Sequence, residues 1–337
     1  MEGQVASFRE VEDLVFKFET VLRKHGIVIQ PNSQLDTACL AVIDSVFKHE
    51  KPETREEMAD IRPALAYALG LWEFMKKIVR LEKHPDFEQL VPHLEQMNDG
   101  GFLQNIKAGD RELTDQVPAK MFELLIAMAA MDVGTDLRLD HPKNPKGDNP
   151  DVIVTIRGVR WAFACKMMMG KSPISLFERI QDGVGQIDRV AAPSGLVQRG
   201  VVVISLKNKL DLDEFWPILN AEQYKNGEPP IFLAQRDATV VASRLAELAE
   251  KQMKEMETVN TLEKVVELFR SSIAAPAVLL FMQATMSLDT PIGPLPSVYP
   301  LLWPHLYPGC TEEDVSVFNS MYDALHNRSA GGTKPSP

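Results

Sequence analysis

Residues 148–169 read DNPDVIVTIRGVRWAFACKMMM, and this stretch decides the fold. Its first half alternates β-branched apolar residues with others, as a half-buried strand does. Gly158 interrupts the pattern, and a second, strongly apolar strand follows at once. The stretch therefore predicts a β-hairpin that begins at Asp151 and carries Lys166 near the end of its second strand.

The segments around the hairpin predict an α/β domain with a central mixed sheet. A strongly apolar helix interrupted by Glu123 is expected at 119–132. A helix with two glycines at 174–190 and a buried strand at 200–206 follow the hairpin. Farther along, the patterns predict helices at 211–220, 237–257, 261–272 and 312–326, strands at 230–235 and 277–285, and a Pro-rich loop at 290–308.

The first third of the chain has the apolar spacing of helices. Four helices are expected, at 7–25 with Gly26 as its stop, at 35–49, at 55–83 and at 86–97. These helices predict an all-α N-terminal domain over 1–115 for assembly or control. The α/β domain would then cover 116–327, and 328–337 would be a disordered tail.

Composition excludes several classes of protein. Of 337 residues, 45% are apolar and 25% charged, which is ordinary for a globular chain with a real core and excludes collagen-like and mostly disordered chains. No run of 18 apolar residues predicts a membrane span, and the charged N-terminus is not a secretory signal. Three widely spaced cysteines, Cys39, Cys165 and Cys310, fit free thiols in a reducing compartment. A cytoplasmic location is expected.

The charge is unevenly distributed along the chain. The net charge is −11, which by itself argues against a nucleic-acid partner. Residues 134–210, however, carry 12 Lys and Arg against 7 Asp and Glu, a net charge of +5 between two flanks of −8 each. Chance remains one explanation of this basic segment. The segment is of interest because it contains the hairpin.

Three residues around the hairpin have the character of a chemical site. A lysine inside FACKMMM is costly unless an anion lies nearby, and Asp151 across the hairpin is the expected partner. Glu123 could reach the same place from the preceding helix. Each residue also has a structural alternative: a strand start for Asp151, a solvent-facing position for Glu123, and an edge-strand lysine extending to the surface for Lys166.

This arrangement resembles the PD-(D/E)XK nuclease superfamily, whose fold is restriction-endonuclease-like. Pro150-Asp151 is similar to the first half of the family motif, and Lys166 to its final lysine. Glu123 corresponds to the family's helical acid, and 174–190 to the helix that covers the sheet. The resemblance covers about residues 118–207 and implies a metal-dependent endonuclease, a hydrolase that cleaves DNA phosphodiester bonds.

The resemblance also implies a metal site. Asp151, Glu123 and the backbone carbonyl of Cys165 would hold Mg²⁺ (or Mn²⁺), and Lys166 would orient or deprotonate the attacking water. One position departs from the pattern, because Ala164 stands where the family has a carboxylate. Either an active protein has been inactivated at Ala164, which is the favoured interpretation, or the chain is a natural non-cutting relative.

Further expectations come from the same resemblance. DNA is the expected partner, with RNA not excluded, in a homodimer or higher homo-oligomer; a regulatory partner would bind residues 1–115, and a prokaryotic defence or restriction effector is expected by analogy. Gln181 and Gln186 would form a polar helix face near the metal, together with Glu178. The expected nucleic-acid contacts are the basic residues Lys143, Lys146, Arg157, Arg160, Lys171 and Arg179.

Two rival interpretations remain. The first is a non-catalytic nucleic-acid-binding or scaffold protein on the same fold, which the missing carboxylate favours. The second is a nucleotide-binding protein, because Gly170-Lys171-Ser172 resembles the end of a phosphate-binding loop. That loop would need a glycine where Cys165 stands, so the second interpretation is the weaker one. His141 is the only histidine near the motif, and no role is expected for it.

Overall fold

A computed structural model describes residues 8–33, 35–40, 42–43, 60, 62–98, 117–143, 149–168, 172–194, 196–206, 210–226, 228, 230–291 and 293–326. The helices of the described part are α1 (Phe8–Lys24), α2 (Arg62–Leu81), α3 (Val91–Glu95), α4 (Val117–Val133), α5 (Pro173–Ser194), α6 (Leu212–Phe215), α7 (Ala221–Lys225), α8 (Ala238–Asn260), α9 (Leu262–Phe269) and α10 (Glu312–Leu325). Its strands are β1 (Thr135–Leu139), β2 (Val152–Ile156), β3 (Val159–Met167), β4 (Arg199–Ser205), β5 (Ala234–Gln235), β6 (Ala274–Thr290) and β7 (Gly293–Leu306).

These strands form one mixed sheet, as the sequence predicts. Strands β1, β2 and β3 pair antiparallel in succession, and β3 then pairs parallel with β4 through the crossover helix α5. Strand β6 lies parallel to β4 and also pairs with the short β5 and, antiparallel, with β7. Along the chain, the central elements of the α/β part are therefore helix α4, the antiparallel strands β1, β2 and β3, helix α5 and the parallel strand β4.

Helices cover both faces of the sheet. On one face, α4 packs on the first three strands and on α10, and α2 packs on α4 and β7. On the other face, α5 packs on β3 and β4, and α8 packs on α5, β6 and β7. Each interface is a separate apolar core, and the two cores are divided by the sheet.

The hairpin between β2 and β3 turns where the sequence predicts. Arg157 and Gly158 form the two-residue turn, and both have positive φ, 54° and 80°. Two consecutive positive φ angles are typical of a type I′ turn, whose twist matches that of the paired strands. The turn and the alternating pattern together set the register of the hairpin.

A second glycine brings α5 close to the sheet. A Cβ atom built on Gly183 would lie 2.8 Å from Cγ1 of Val202 on β4, closer than side chains normally approach. A Cβ on Gly185 would meet nothing closer than 3.6 Å. Of the two glycines that interrupt the helical pattern, Gly183 is therefore required by packing, and α5 stays continuous through both.

The expected loop at 290–308 is wrong, because most of it forms β7. The strand pairs with β6 from Thr290↔Gly293 to Ala277↔Leu306. Its four prolines all have even numbers, and counting from the closing pair places each at a non-hydrogen-bonded position, where no N–H is needed by β6. They are Pro294, Pro296, Pro300 and Pro304. Proline frequency predicts a loop, but the parity of the prolines allows a strand.

Other boundaries differ from the predictions. The helix expected at 211–220 is only one turn, α6, because Pro217 follows it and Ile218 pairs with Phe232 in an isolated bridge. The strand expected at 230–235 shrinks to that bridge and β5, whereas β6 extends far beyond 277–285. The helix expected at 86–97 is α3 flanked by two 3₁₀ turns. Strand β1, five residues long, was not predicted.

The N-terminal helices pack directly against the α/β part. Residues 35–40 and 42–43 are helical, and the remainder of the expected 35–49 helix lies outside the described residues. The apolar core under α1 and α2 continues into that under α4. Residues 99–116, which contain the predicted domain boundary, and the tail 328–337 also lie outside the described part. No helix of the described part combines the length and apolar character that crossing a membrane requires.

Candidate active site

The hairpin register places Ala164 directly across from Asp151. Val152 pairs with Phe163, so the next pair outward is Asp151 with Ala164. Counting from the two-residue turn, this is a non-hydrogen-bonded pair, the kind in which opposing side chains approach most closely. A carboxylate at position 164 would therefore stand beside that of Asp151. Ala164 is fully buried and Asp151 is 7% exposed.

Pro150 and Asp151 together shape the end of the hairpin. Oδ2 of Asp151 accepts a hydrogen bond of 2.7 Å from the backbone N–H of Cys165. Continuing the register places Pro150 opposite Cys165, and Pro150 has no N–H to donate to the Cys165 carbonyl. The N–H and C=O of one strand residue point to the same neighbouring strand. The Cys165 carbonyl therefore faces the end of β2 where Asp151 lies.

Lys166 projects two residues beyond Ala164 and is hydrogen-bonded to α5. Its Nζ donates to Oε1 of Gln186 at 2.5 Å, and Nε2 of Gln186 donates in turn to the carbonyl of Asn149. Gln186 is only 1% exposed. The hydrogen-bond partner is thus Gln186, whereas Asp151, the expected partner, interacts with Lys166 electrostatically.

Glu123 reaches the site from α4 with two partners that the sequence did not predict. Nζ of Lys120, one turn earlier on the same helix, lies 2.9 Å from both carboxylate oxygens of Glu123. Nε2 of His93, from the N-terminal helical segment, lies 3.4 Å from Oε2. The side chains of His93 and Glu123 are 1% and 6% exposed. Glu123 is therefore a buried residue, and the solvent-facing alternative for it is wrong.

Burial and like charge dominate the electrostatics of the site. Burial, followed by the nearby Glu123 carboxylate, raises the pKa of Asp151 well above its usual range, although Lys166 opposes this. Burial also raises the pKa of Glu123, against the opposing charge of Lys120. Burial and the Lys120 charge lower the pKa of His93 to about 3, so its imidazole is neutral at pH 7. Perturbed acids gathered at one place are a mark of functional sites.

The loop after β1 closes one side of this cluster. The N–H of Asp140 donates to the carbonyl of Asp151 at 2.9 Å, and Nδ2 of Asn149 lies 3.4 Å from Oδ1 of Asp140. Asp140 also acts electrostatically on Glu123, and His141 acts on His93. His141, from which no role was expected, thus acts electrostatically on a residue that lies beside Glu123.

Two of the predicted basic residues, Arg157 and Arg160, lie far from the acids. Arg157 and Arg160 lie at the turn end of the hairpin, where Arg157 contacts Ser316 and Ser320 and Arg160 contacts Thr155. Six residues of strand, about 20 Å, separate Arg160 from Lys166.

The other expected nucleic-acid contacts are divided between the surface and the undescribed residues. Arg179 is exposed, and its Nη1 lies 3.8 Å from Oδ2 of Asp182. Lys143 follows His141 in the loop after β1. Lys146 and Lys171, with most of the Gly170-Lys171-Ser172 segment, lie outside the described residues.

The expected polar face of α5 does not form as one face. Gln186 is buried and bound to Lys166, whereas Gln181 and Glu178 are exposed. Five residues separate the two glutamines, and five residues turn an α-helix by about 140°. Only Gln186 therefore belongs to the site.

The donors present fit a hard divalent cation incompletely. Asp151, Glu123 and the carbonyl of Cys165 are oxygen donors of the kind that Mg²⁺ and Mn²⁺ take. Burial disfavours the ionised form of both acids and so raises their pKa values, and a bound cation would favour the ionised form again. Within the described ranges, no three His, Cys, Asp or Glu side chains form a group suited to hold a metal. A third carboxylate at position 164 would lie across from Asp151.

The buried Asp151 carboxylate has a predictable effect on stability. We expect Asp151→Asn to increase the free energy of unfolding at pH 7 by about 1–2 kcal/mol. The pKa of Asp151 is higher in the folded protein than in the unfolded chain, where it is about 3.9. As the pH rises above that value, Asp151 ionises in the unfolded chain before it ionises in the folded protein, so the free energy of unfolding decreases. Asparagine does not ionise, so the variant keeps this free energy. Denaturant unfolding at pH 7 and pH 4 measures this difference, which should vanish at pH 4.

Asp188→Asn is the matched control. Oδ1 of Asp188 also accepts a backbone N–H, from Ile273 at 3.1 Å, and a hydroxyl, from Ser272 at 2.7 Å. This substitution should give no gain in stability at either pH. A loss of stability in Asp151→Asn at pH 7 would contradict the electrostatic description of the site.

Two residues that contact Glu123, His93 and Lys120, were not predicted from the sequence. His93 lies 58 positions before Asp151 and belongs to a region without a chemical motif. Lys120 precedes Glu123 by three positions, so a Lys–Glu pair on one helix face was a visible signal. It was not informative by itself, because such pairs are common on exposed helices.

No family model, curated protein or solved structure matches this chain.

Proposed function

We propose that this protein is a metal-dependent nuclease of the PD-(D/E)XK type, in a form inactivated at Ala164. The observation that supports the proposal most directly is the hairpin register, whose continuation beyond Val152↔Phe163 places Asp151 across from Ala164, with Lys166 two residues farther along β3. The order of α4, β2, β3 and α5 along the chain also supports the proposal, although the unpredicted strand β1 lies between α4 and β2.

The residues have complementary roles in this proposal. Asp151, Glu123 and the Cys165 carbonyl would hold Mg²⁺ or Mn²⁺, which supplies Lewis-acid activation of water and charge stabilisation at the phosphate. Lys166, positioned by Gln186, would orient the attacking water and stabilise charge developing on the phosphate oxygens. DNA is the proposed substrate, and residues 1–115 are the proposed site of a regulatory partner.

A second candidate is a non-catalytic nucleic-acid-binding or scaffold protein on the same fold. Two observations favour it: Ala164 lacks a carboxylate, and Lys120 already neutralises Glu123. The position of Arg157 and Arg160 at the far end of the hairpin favours the scaffold over a nucleic-acid-binding protein.

Binding of Mn²⁺ separates these candidates. We expect isothermal titration calorimetry and electron paramagnetic resonance to show one or two bound Mn²⁺ ions in Ala164→Glu, and weaker binding in the parent chain, because a third carboxylate completes the oxygen set. Adding Asp151→Asn to Ala164→Glu should remove the binding. Absence of Mn²⁺ binding in Ala164→Glu would overturn the nuclease proposal in favour of the scaffold.

A further inference from the structure

Lys120 is placed unusually for a lysine in a salt bridge. Its Nζ lies 2.9 Å from both oxygens of Glu123, and its side chain is only 13% exposed. The Lys225–Glu222 pair has the same spacing of three residues and a distance of 2.9 Å, but its side chains are 69% and 81% exposed. Most exposed pairs of this kind contribute little to stability. A buried pair is different, because each charge depends on the other for solvation.

The position of Lys120 conflicts with metal binding by Glu123. Nζ of Lys120 contacts both oxygens of Glu123, so a divalent cation bound to the same carboxylate would lie close to the ammonium group and be repelled by it. On the other side of the carboxylate, Nε2 of His93 lies 3.4 Å from Oε2. His93 is buried, and its Nδ1 has no hydrogen-bond partner in the described part of the structure. Because the buried imidazole of His93 is neutral, it does not offset the negative charge of Glu123. Lys120 is the cation in contact with that carboxylate.

We infer that Lys120 is a built-in counter-cation of the metal site, which holds Glu123 while no metal is bound and must leave it when a divalent cation binds. The inference rests on the proposed function, since it concerns the same site. Lys120 thereby stabilises the empty site and weakens its affinity for metal. His93 is a positioning residue that keeps the Glu123 carboxylate oriented after Lys120 has left.

The inference predicts that removing the Lys120 charge tightens metal binding. In the Ala164→Glu background, we expect Lys120→Met to lower the dissociation constant for Mn²⁺ by about tenfold or more, because a positive charge next to the cation is removed. Without metal, Lys120→Met should unfold at a lower temperature, since Glu123 loses its counter-charge. Saturating Mn²⁺ should restore the lost thermal stability. Calorimetric titration and thermal unfolding with and without Mn²⁺ measure both effects.

Two further variants make the test specific. Lys120→Gln can still donate a hydrogen bond to Glu123 but carries no charge, so it should tighten Mn²⁺ binding with a smaller loss of stability. Lys225→Met removes the exposed pair of the same spacing and should change neither quantity.

The outcomes separate the inference from the proposed function. Unchanged Mn²⁺ affinity in both Lys120 variants, with binding intact in Ala164→Glu, overturns the inference and leaves the proposed function standing. A stability loss that Mn²⁺ does not restore identifies Lys120 as a structural residue and also overturns the inference. Absence of Mn²⁺ binding in every variant overturns both.

Discussion

Ala164→Glu should convert this chain into a nuclease that cuts DNA in Mg²⁺ or Mn²⁺, at least about 100-fold faster than the parent. Position 164 lies across from Asp151 in a non-hydrogen-bonded pair, so the new carboxylate would lie next to that of Asp151. Lys166 is held in place by Gln186 without any further change. Cleavage of supercoiled plasmid, linear DNA and RNA, followed on gels, measures the gain and the substrate preference.

The controls identify which part of the site acts. Ala164→Gln has nearly the size of glutamate without its charge and should remain inactive. Ala164→Glu combined with Lys166→Ala should lose the gained cleavage, because the strand would hold the acids without the lysine that acts on water. DNA cleavage by Ala164→Glu combined with Lys166→Ala would contradict the proposed site. Cleavage by Ala164→Gln at the same rate as by Ala164→Glu would contradict it as well.

The gain of activity should come with a cost in stability. Ala164 is fully buried among apolar residues, so a glutamate there adds another buried charge next to Asp151. In the absence of divalent cations we expect Ala164→Glu to unfold at a lower temperature than the parent. Addition of Mg²⁺ should raise its unfolding temperature by more than it raises that of Ala164→Gln.

Asp314→Ala should lower the free energy of unfolding by about 3 kcal/mol, because it removes one partner of a largely buried ion pair. Asp314 is 2% exposed and accepts two hydrogen bonds from the Arg199 guanidinium, at 2.8 and 2.5 Å. It also closes the capping box of α10 with Thr311. The variant leaves an unpaired guanidinium that is 25% exposed, so partial solvation of Arg199 limits the loss.

The pH dependence of this effect has a definite sign. Burial alone would raise the pKa of Asp314, but the hydrogen bonds from Arg199 and Thr311 hold it below its usual range. The stabilisation is therefore complete above the unfolded-state pKa of about 3.9 and is lost as the pH falls through the lower folded-state value. Urea unfolding from pH 7 to pH 2 should show the parent and Asp314→Ala converging at the acid end.

Two variants place this loss in context. Asp314→Asn keeps an acceptor for the Thr311 N–H and should lose less than Asp314→Ala. Glu222→Ala breaks an exposed ion pair and should leave the free energy of unfolding nearly unchanged. An equal loss in Glu222→Ala and Asp314→Ala would show that burial of the Arg199 pair contributes nothing.

The hairpin was predictable from the sequence because its signals are local. Alternation of apolar residues, Gly158 at the turn, and a lysine in an apolar strand are all visible within about twenty positions. The register that sets Asp151 across from Ala164 follows from the turn. The hydrogen bond between Lys166 and Gln186 depends on how α5 crosses the sheet, which no local pattern specifies.

The rest of the site depends on contacts between distant segments. His93 joins Glu123 only because the N-terminal helices pack on the same side of the sheet as α4. Burial of Lys120 was likewise invisible, since the Lys–Glu spacing is the same on buried and exposed helix faces. Strand β7 was not predicted because the high frequency of proline is typical of a loop. Only the pairing with β6 shows that each proline lies where no N–H is needed.

The prolines of β7 also determine how this sheet can meet another chain. In β7, the N–H groups that point away from β6 belong to the even-numbered residues from 294 to 306, and four of those seven residues are prolines. Only Val298, Leu302 and Leu306 could donate there, so a further strand added at this edge would lack four of the seven hydrogen bonds that β7 would otherwise donate to it. The prolines therefore disfavour aggregation of this protein by strand addition at β7.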